Sequence, residues 1–159
     1  MMAQDSEHKE LKIEKIRNGT VIDHISGGMA LDVLRILGIT GREDISVSVA
    51  MNVPSKTLGK KDIVKVEGRE LHRGEVDKIA LIAPQASINI IREYSVVKKQ
   101  PVILPNAISD TVSCPNPLCI TNSHEPVEPL FRVIGKNPVR LRCDYCETIL
   151  NYEEIRKQL

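Results

Sequence analysis

"SCPNPLCITN", residues 113–122, and "RCDYCETIL", residues 142–150, hold all four cysteines of this chain. The spacing is C-x4-C, then 23 intervening residues, then C-x2-C. Two short pairs separated by roughly 15–25 residues are what a tetrahedral four-thiolate zinc site needs. Each pair sits on a tight turn, and Pro115, Asn116 and Pro117 supply turn chemistry in the first. The stretches "PLFRVIG" (129–135) and "PVRLRCDYC" (138–146) supply strands, Val139, Leu141 and Cys143 alternating against Arg140 and Arg142. The C-terminal part is therefore expected to be a small β-rich module.

Two other readings of the thiols fit less well. A redox dithiol needs one C-x-x-C opening a helix within a βαβ pattern. A disulfide framework belongs to oxidising compartments, and the polar start "MMAQDSEHKELK" has no apolar h-region, so a cytoplasmic setting is expected. One structural Zn2+ on Cys114, Cys119, Cys143 and Cys146 is the reading we adopt. Four thiolates close the shell and leave no open position for water or substrate. Arg132, Lys136, Arg140 and Arg142 lie close enough in sequence to offset part of the site's net negative charge, and His124 reads as a loop residue. A module of about 50 residues has too small a core to stand alone. Zinc contributes on the order of 10 kcal/mol to the folding of such a module.

Composition narrows the partners. A net charge of +1 is too balanced for affinity built on counterion release along nucleic acid, and 3 % aromatic residues argue against base stacking. No run of 18 apolar residues is present to span a membrane.

Ahead of the cysteines the patterning changes. Residues 1–10 are expected to be disordered. "LKIEKIRNG" (11–19) reads as a first strand that "GTVIDHI" (19–25) continues. "GGMALDVLRILG" (27–38) places Met29, Val33, Leu34 and Leu37 at helical spacing, with Gly38 as C-cap. "DISVSVAMN" (44–52) alternates as a half-buried strand, "VPSKTLG" (53–59) reads as a connection and "KKDIVKVEG" (60–68) as a third strand. "GEVDKIALIAP" (74–84) reads as a second helix, stopped by Pro84, and "ASINIIREYSVVKK" (86–99) as one last extended segment. The order β-α-β-β-α-β is the split-βαβ, ferredoxin-like arrangement. The expected organisation is α+β: residues 1–104, a linker around 100–110, and a zinc module over 105–159. Asn18-Gly19-Thr20 matches a glycosylation sequon but reads as a turn.

No catalytic signature is present: there is no G-x-G-x-x-G, P-loop, G-x-S-x-G or H-E-x-x-H. Asp23 and His24 are adjacent on an extended segment, so they are expected to point to opposite faces.

"RNGTVIDHI", "NVPS", "GKKDIVKVE", "APQASINIIREYSVV", "CPNPLC" and "CDYC", in this order, resemble the regulatory chains of aspartate carbamoyltransferase. The resemblance implies a noncatalytic subunit with a nucleotide-binding N-terminal domain and a zinc domain that grips the catalytic chain. CTP, ATP and UTP are the implied effectors, and a second copy of the chain the implied dimer partner, pairing through a sheet edge or helices. By resemblance, Ile13, Glu14 and Ile16 line the base pocket, and Val21, Asp23 and His24 are base-side and phosphate-side contacts. Lys61, Ile63 and Lys65 match positions touching ribose and phosphate; Asn89, Ile91, Tyr94 and Val96 match a closing segment; Lys99 matches a phosphate lysine. The adjacent Lys98 leaves that register open by one residue. Residue chemistry supports this independently: Lys61, Ile63 and Lys65 alternate, so both ammonium groups share one strand face, and such point charges suit a triphosphate. The alternative from another class is a zinc-ribbon nucleic-acid-binding protein with a small-molecule sensor domain. Arg132, Arg140 and Arg142 favour it.

Overall fold

The computed structural model describes residues 15–159. Five strands and two helices come first: β1 (Gly19–Ser26), α1 (Ala30–Ile36), β2 (Val47–Ser55), β3 (Gly59–Glu67), α2 (Arg73–Ile82), β4 (Ser87–Arg92) and β5 (Ser95–Pro101). They form one antiparallel sheet in the order β2-β3-β1-β4-β5. The first four strands and two helices have the ferredoxin-like order and pairing expected from the sequence, with β5 added at one edge. Alternation divides the sheet. Ile22, Val64, Val66 and Ile88 are buried with Val33, Ile79 and Ile82 of the helices, while Val21, Lys65 and Asn89 face the other way.

The described part of the expected first strand is only partly strand. Residues 11–14 lie outside the described residues, as do residues 1–10, and Lys15–Asn18 are not strand. Gly19 opens β1 with φ +148°, and a Cβ there would sit 2.2 Å from the Val66 carbonyl oxygen, so the close approach of β1 to β3 needs glycine. Asn18 serves as a junction, its carbonyl accepting the Gly68 N–H and its Oδ1 the Glu93 N–H.

Two further expectations are corrected. β2 does not stop at Asn52 but continues through Val53, Pro54 and Ser55, which pair with Lys61, Lys60 and Gly59. Proline is tolerated there because β2 is an edge strand. Val49 and Met51 of β2 remain 38 % and 39 % exposed, so this alternating face is less covered than a half-buried strand. The segment 86–99 is a hairpin rather than one strand, turning at Glu93-Tyr94, both with positive φ (47° and 65°). Neither residue is a typical turn former. The turn is clipped from outside: Tyr94 N–H donates to the Arg17 carbonyl, and Arg17 pairs with the Glu93 carboxylate at 3.1 Å.

Helix α1 has its cap in a distant strand. Asp62 of β3 is fully buried, and its Oδ2 accepts the N–H groups of Gly28 and Ala30, each at 2.9 Å, while Oδ1 accepts that of Asn52 at 2.8 Å. One carboxylate thus satisfies orphan donors at the helix start and pins the irregularity in β2.

The second sheet has the order β6-β7-β8-β9, built from β6 (Ala107–Ser109), β7 (Leu130–Lys136), β8 (Val139–Cys143) and β9 (Ile149–Leu150). Helix α3 (Tyr152–Arg156) follows, opened by an Asn151–Glu154 capping box. Phe131, Val139, Leu141, Leu150 and Ile155 form its fully buried core. The expected alternation in β8 holds: Val139, Leu141 and Cys143 are buried, Arg140 and Arg142 exposed.

The two cores meet along α2. Ile79, Ala80 and Ile82 join the first cluster, whereas Leu81 joins the second. Tyr152 donates its hydroxyl to the Ile82 carbonyl. Arg35 of α1 donates to the carbonyls of Arg156 and Leu159 and to the Asp32 carboxylate.

Candidate metal centre and effector face

The loop after β6 delivers Cys114 and Cys119; the end of β8 and the turn after it deliver Cys143 and Cys146. The four Sγ atoms lie within 4.8 Å of one another, with Cys114–Cys146 at 3.5 Å and Cys119–Cys143 at 3.7 Å. None is in a disulfide. A metal bound through four sulfurs at about 2.3 Å has a tetrahedron edge of about 3.8 Å, so the donor set and its spacing fit such an ion. Cys114, Cys119 and Cys143 are buried. Burial pushes the Cys114 thiol up to about 12 and raises Cys143 as well. A cation at the centre would offset that cost by stabilising the thiolate forms. Cys146 goes the other way, to about 6, held down first by the Thr148 hydroxyl and then by the Thr148 amide. His124 is exposed and stands outside the group. Arg132 is taken by Asp144, at 2.9 Å, rather than left to face the sulfurs.

The face of the first sheet away from its helices carries most of the remaining candidates. A cavity of about 240 Å³ is lined by Ile16, Val21, Lys65, Asn89, Ile91, Tyr94 and Val96, together with Lys15. Strand register explains the grouping: Val21 lies opposite both Lys65 and Asn89, and Ile91 opposite Val96. Lys61 and Ile63 follow on the same face by alternation. Lys99 pairs with Asn89, whereas Lys98 pairs with Ile90, so the irregularity in β5 turns Lys99 toward this face. Ile13 and Glu14 lie outside the described residues. Sequence reasoning missed Lys15 as a cavity residue, because it precedes the strand and no alternation assigns it a face. Burial lowers the Lys65 pKa, the Asp23 charge works against this, and the Lys15 ammonium adds to the lowering.

Asp23 and His24 do not separate as an unbroken strand would require. A bulge between Ile22 and Ile25 and a positive φ of 55° at His24 bring His24 Nδ1 to 3.9 Å from Asp23 Oδ1 and to 3.2 Å from Ser87 Oγ. Both contacts use the same ring nitrogen, whereas a serine–histidine–carboxylate relay needs one on each. The Asp23 carboxylate is instead held 3.0 Å from Lys61 Nζ.

Fold and site together define a two-module chain, an open-faced α+β sheet joined to a four-thiolate metal-binding platform. The chain belongs to the aspartate carbamoyltransferase regulatory chain family. Residues 11–103 match the family model described as the regulatory chain's allosteric domain, and residues 106–156 match the model described as its metal binding domain. Among curated relatives, the aspartate carbamoyltransferase regulatory chain of Methanothrix thermoacetophila is 61 % identical over 139 residues, covering 87 % of this chain and 90 % of that one. Those of Hyperthermus butylicus and Korarchaeum cryptofilum are each 55 % identical, over 150 and 152 residues, covering 94 % and 95 % of this chain and 94 % and 97 % of theirs. The family is one of regulatory chains, with an allosteric and a metal-binding domain. No helix among the described residues is long and apolar enough to cross a membrane.

Proposed function

We propose that this chain binds CTP, ATP and UTP on its open sheet face and transmits their effect to aspartate carbamoyltransferase catalytic chains through its C-terminal module. The observation that carries this reading is the lysine-bearing cavity. Lys15 and Lys65 meet Asn89 and the apolar Val21, Ile91 and Val96 there, with Lys61 and Lys99 on the same face. Apolar walls suit a base, and the ammonium groups suit a triphosphate's roughly four negative charges. A ligand reports to the catalytic chains only if it binds two global states with different affinity.

The metal is zinc, held by Cys114, Cys119, Cys143 and Cys146. When bound it supplies charge and a cross-link, and no open coordination position. We place the division between the domains at residues 104 and 105, and the chain in the cytoplasm, where thiols stay reduced. The docking face for the catalytic chain is formed by the two metal-binding turns, where Leu118 is 90 % and Tyr145 48 % exposed. A second copy of the chain docks at the β2 edge. A groove of about 520 Å³ lined by Leu31, Leu34, Ile39, Val47 and Val49 supports this.

The test is co-purification with candidate catalytic chains, followed by carbamoyl transfer assays with and without CTP, ATP and UTP. Assembly with a nucleotide-dependent rate is the expected result. A stable assembly whose rate ignores all three nucleotides defeats the reading.

A further inference from the structure

The two turns that carry the cysteines share a feature the ligand spacing does not require. Each continues as Cys-x-Thr: Cys119-Ile120-Thr121 and Cys146-Glu147-Thr148. Thr121 Oγ1 lies 3.1 Å from Cys119 Sγ, with either atom able to donate, and the Cys146 thiol donates to Thr148 Oγ1 across 3.1 Å. A metal-bound thiolate has no proton to give, so the hydroxyl is then the donor. Among the described residues neither hydroxyl has another hydrogen-bond partner, so each is committed to its sulfur. The arrangement is also distributed. The close sulfur pairs are Cys114 with Cys146 and Cys119 with Cys143, so each contains one sulfur with a hydroxyl beside it and one without.

We propose that Thr121 and Thr148 are positioning residues for the metal, each donating its hydroxyl proton to a ligating thiolate and so raising the site's hold on zinc. Four thiolates around a divalent ion leave a net charge of about −2 in a largely buried site. A hydroxyl donating to a thiolate makes a charge-assisted bond. It disperses part of that excess charge and fixes the Cβ–Sγ rotamer of its cysteine. Outer partners of metal ligands are worth about 10–100-fold in metal affinity. Threonine suits the role because its restricted χ1 holds Oγ1 in place.

The inference rests on the zinc reading, and the two fail separately: a wild-type chain that binds no stoichiometric zinc removes the reading itself. The experiment uses the full chain with Thr121→Val, Thr148→Val and the double substitution, with Thr→Ser at each position as the rescue. Zinc affinity is measured by competition with a chelator, and the sulfur-to-metal charge-transfer band is recorded on cobalt-loaded protein. Each valine is expected to lower zinc affinity about tenfold. It should also move the cobalt band to lower energy, because a thiolate without its donor is more electron-rich. Serine should restore both. Unchanged affinity overturns the proposal. So does lowered affinity with an unmoved band, which marks a packing role only. Should a valine variant fail to fold, Thr121→Ala and Thr148→Ala give the same two readouts with less bulk at the turn.

Discussion

Tyr152 donates its hydroxyl proton to the carbonyl oxygen of Ile82 across 2.8 Å, tying the first residue of α3 to the last residue of α2. The Tyr152 hydroxyl oxygen also lies 3.0 Å from Met29 Sδ, so one side chain from the metal-binding module touches the end of α2 and the residue that precedes α1. Removing the hydroxyl with Tyr152→Phe should cost about 1 kcal/mol of stability. It should weaken nucleotide control of an assembled enzyme more than it weakens nucleotide binding. Denaturation and effector titration of the assembly check the two parts.

The same contact has a pH signature. Burial, then the Asp32 charge, push the Tyr152 pKa from 10.0 up to about 12. The unfolded chain ionises first, so the contribution is intact below pH 10 and lost as pH rises through about 12. Stability measured from pH 9 to 12 should fall more steeply for the wild type than for Tyr152→Phe. Parallel curves would mean the hydroxyl is not held as described.

Asp62 is the least replaceable carboxylate of the sheet domain. It accepts from three backbone donors, on Gly28, Ala30 and Asn52, and the Ala30 bond is buried. Asp62→Ala should destabilise by about 3 kcal/mol, with Asp62→Asn milder because one acceptor oxygen remains. Urea unfolding of the full chain measures both. A loss within 0.5 kcal/mol, of the size typical of surface changes, would contradict the assignment.

Glu43 closes the loop between α1 and β2. Its carboxylate accepts from the Thr40 amide and hydroxyl and from the Gly41 amide. These bonds, the Thr40 amide first, hold its pKa down from 4.5 to about 2. A depressed carboxyl stabilises above its ordinary value and loses that contribution as pH falls through the folded one. The protection of the Thr40 and Gly41 amides, measured relative to their intrinsic exchange rates, should therefore fall between pH 4.5 and about 2. In Glu43→Gln that protection should not change with pH across this range.

Lys65→Ala should weaken CTP by on the order of tenfold, about 1.4 kcal/mol, while cytidine binding changes little. Isothermal titration with both ligands decides it. An equal loss for nucleoside and triphosphate means the lysine does not face phosphate.

On the proposed reading, treating the chain with a mercurial to strip its metal should abolish association with catalytic chains while CTP binding survives, because the cysteine cluster and the proposed nucleotide face lie in different modules. The sheet domain should melt at a lower temperature, since Leu81 loses the core it enters. Retained assembly after complete metal loss would refute the docking proposal.

The clustering of the four cysteines was legible from spacing alone, and strand alternation in β8 and β3 assigned inward and outward residues correctly. Three features resisted. The turn at Glu93-Tyr94 carries no glycine or asparagine; its left-handed residues are enforced by Arg17 and Asn18, 75 or more positions away in sequence. The continuation of β2 through Pro54 is allowed only by its edge position, which local pattern does not reveal. The bulge at Asp23-His24 overrides the simple alternation that set those two residues on opposite faces. Each is a case of tertiary context deciding a local conformation.

Helix α2 buries four consecutive residues, Ile79 to Ile82, because it has no free side in that turn. Any roll of the helix about its long axis withdraws Leu81 from one interior as it reseats Ile79 and Ile82 in the other. The two halves of the chain thus share one packing element, and a substitution that shifts this turn of α2 disturbs both interiors at once.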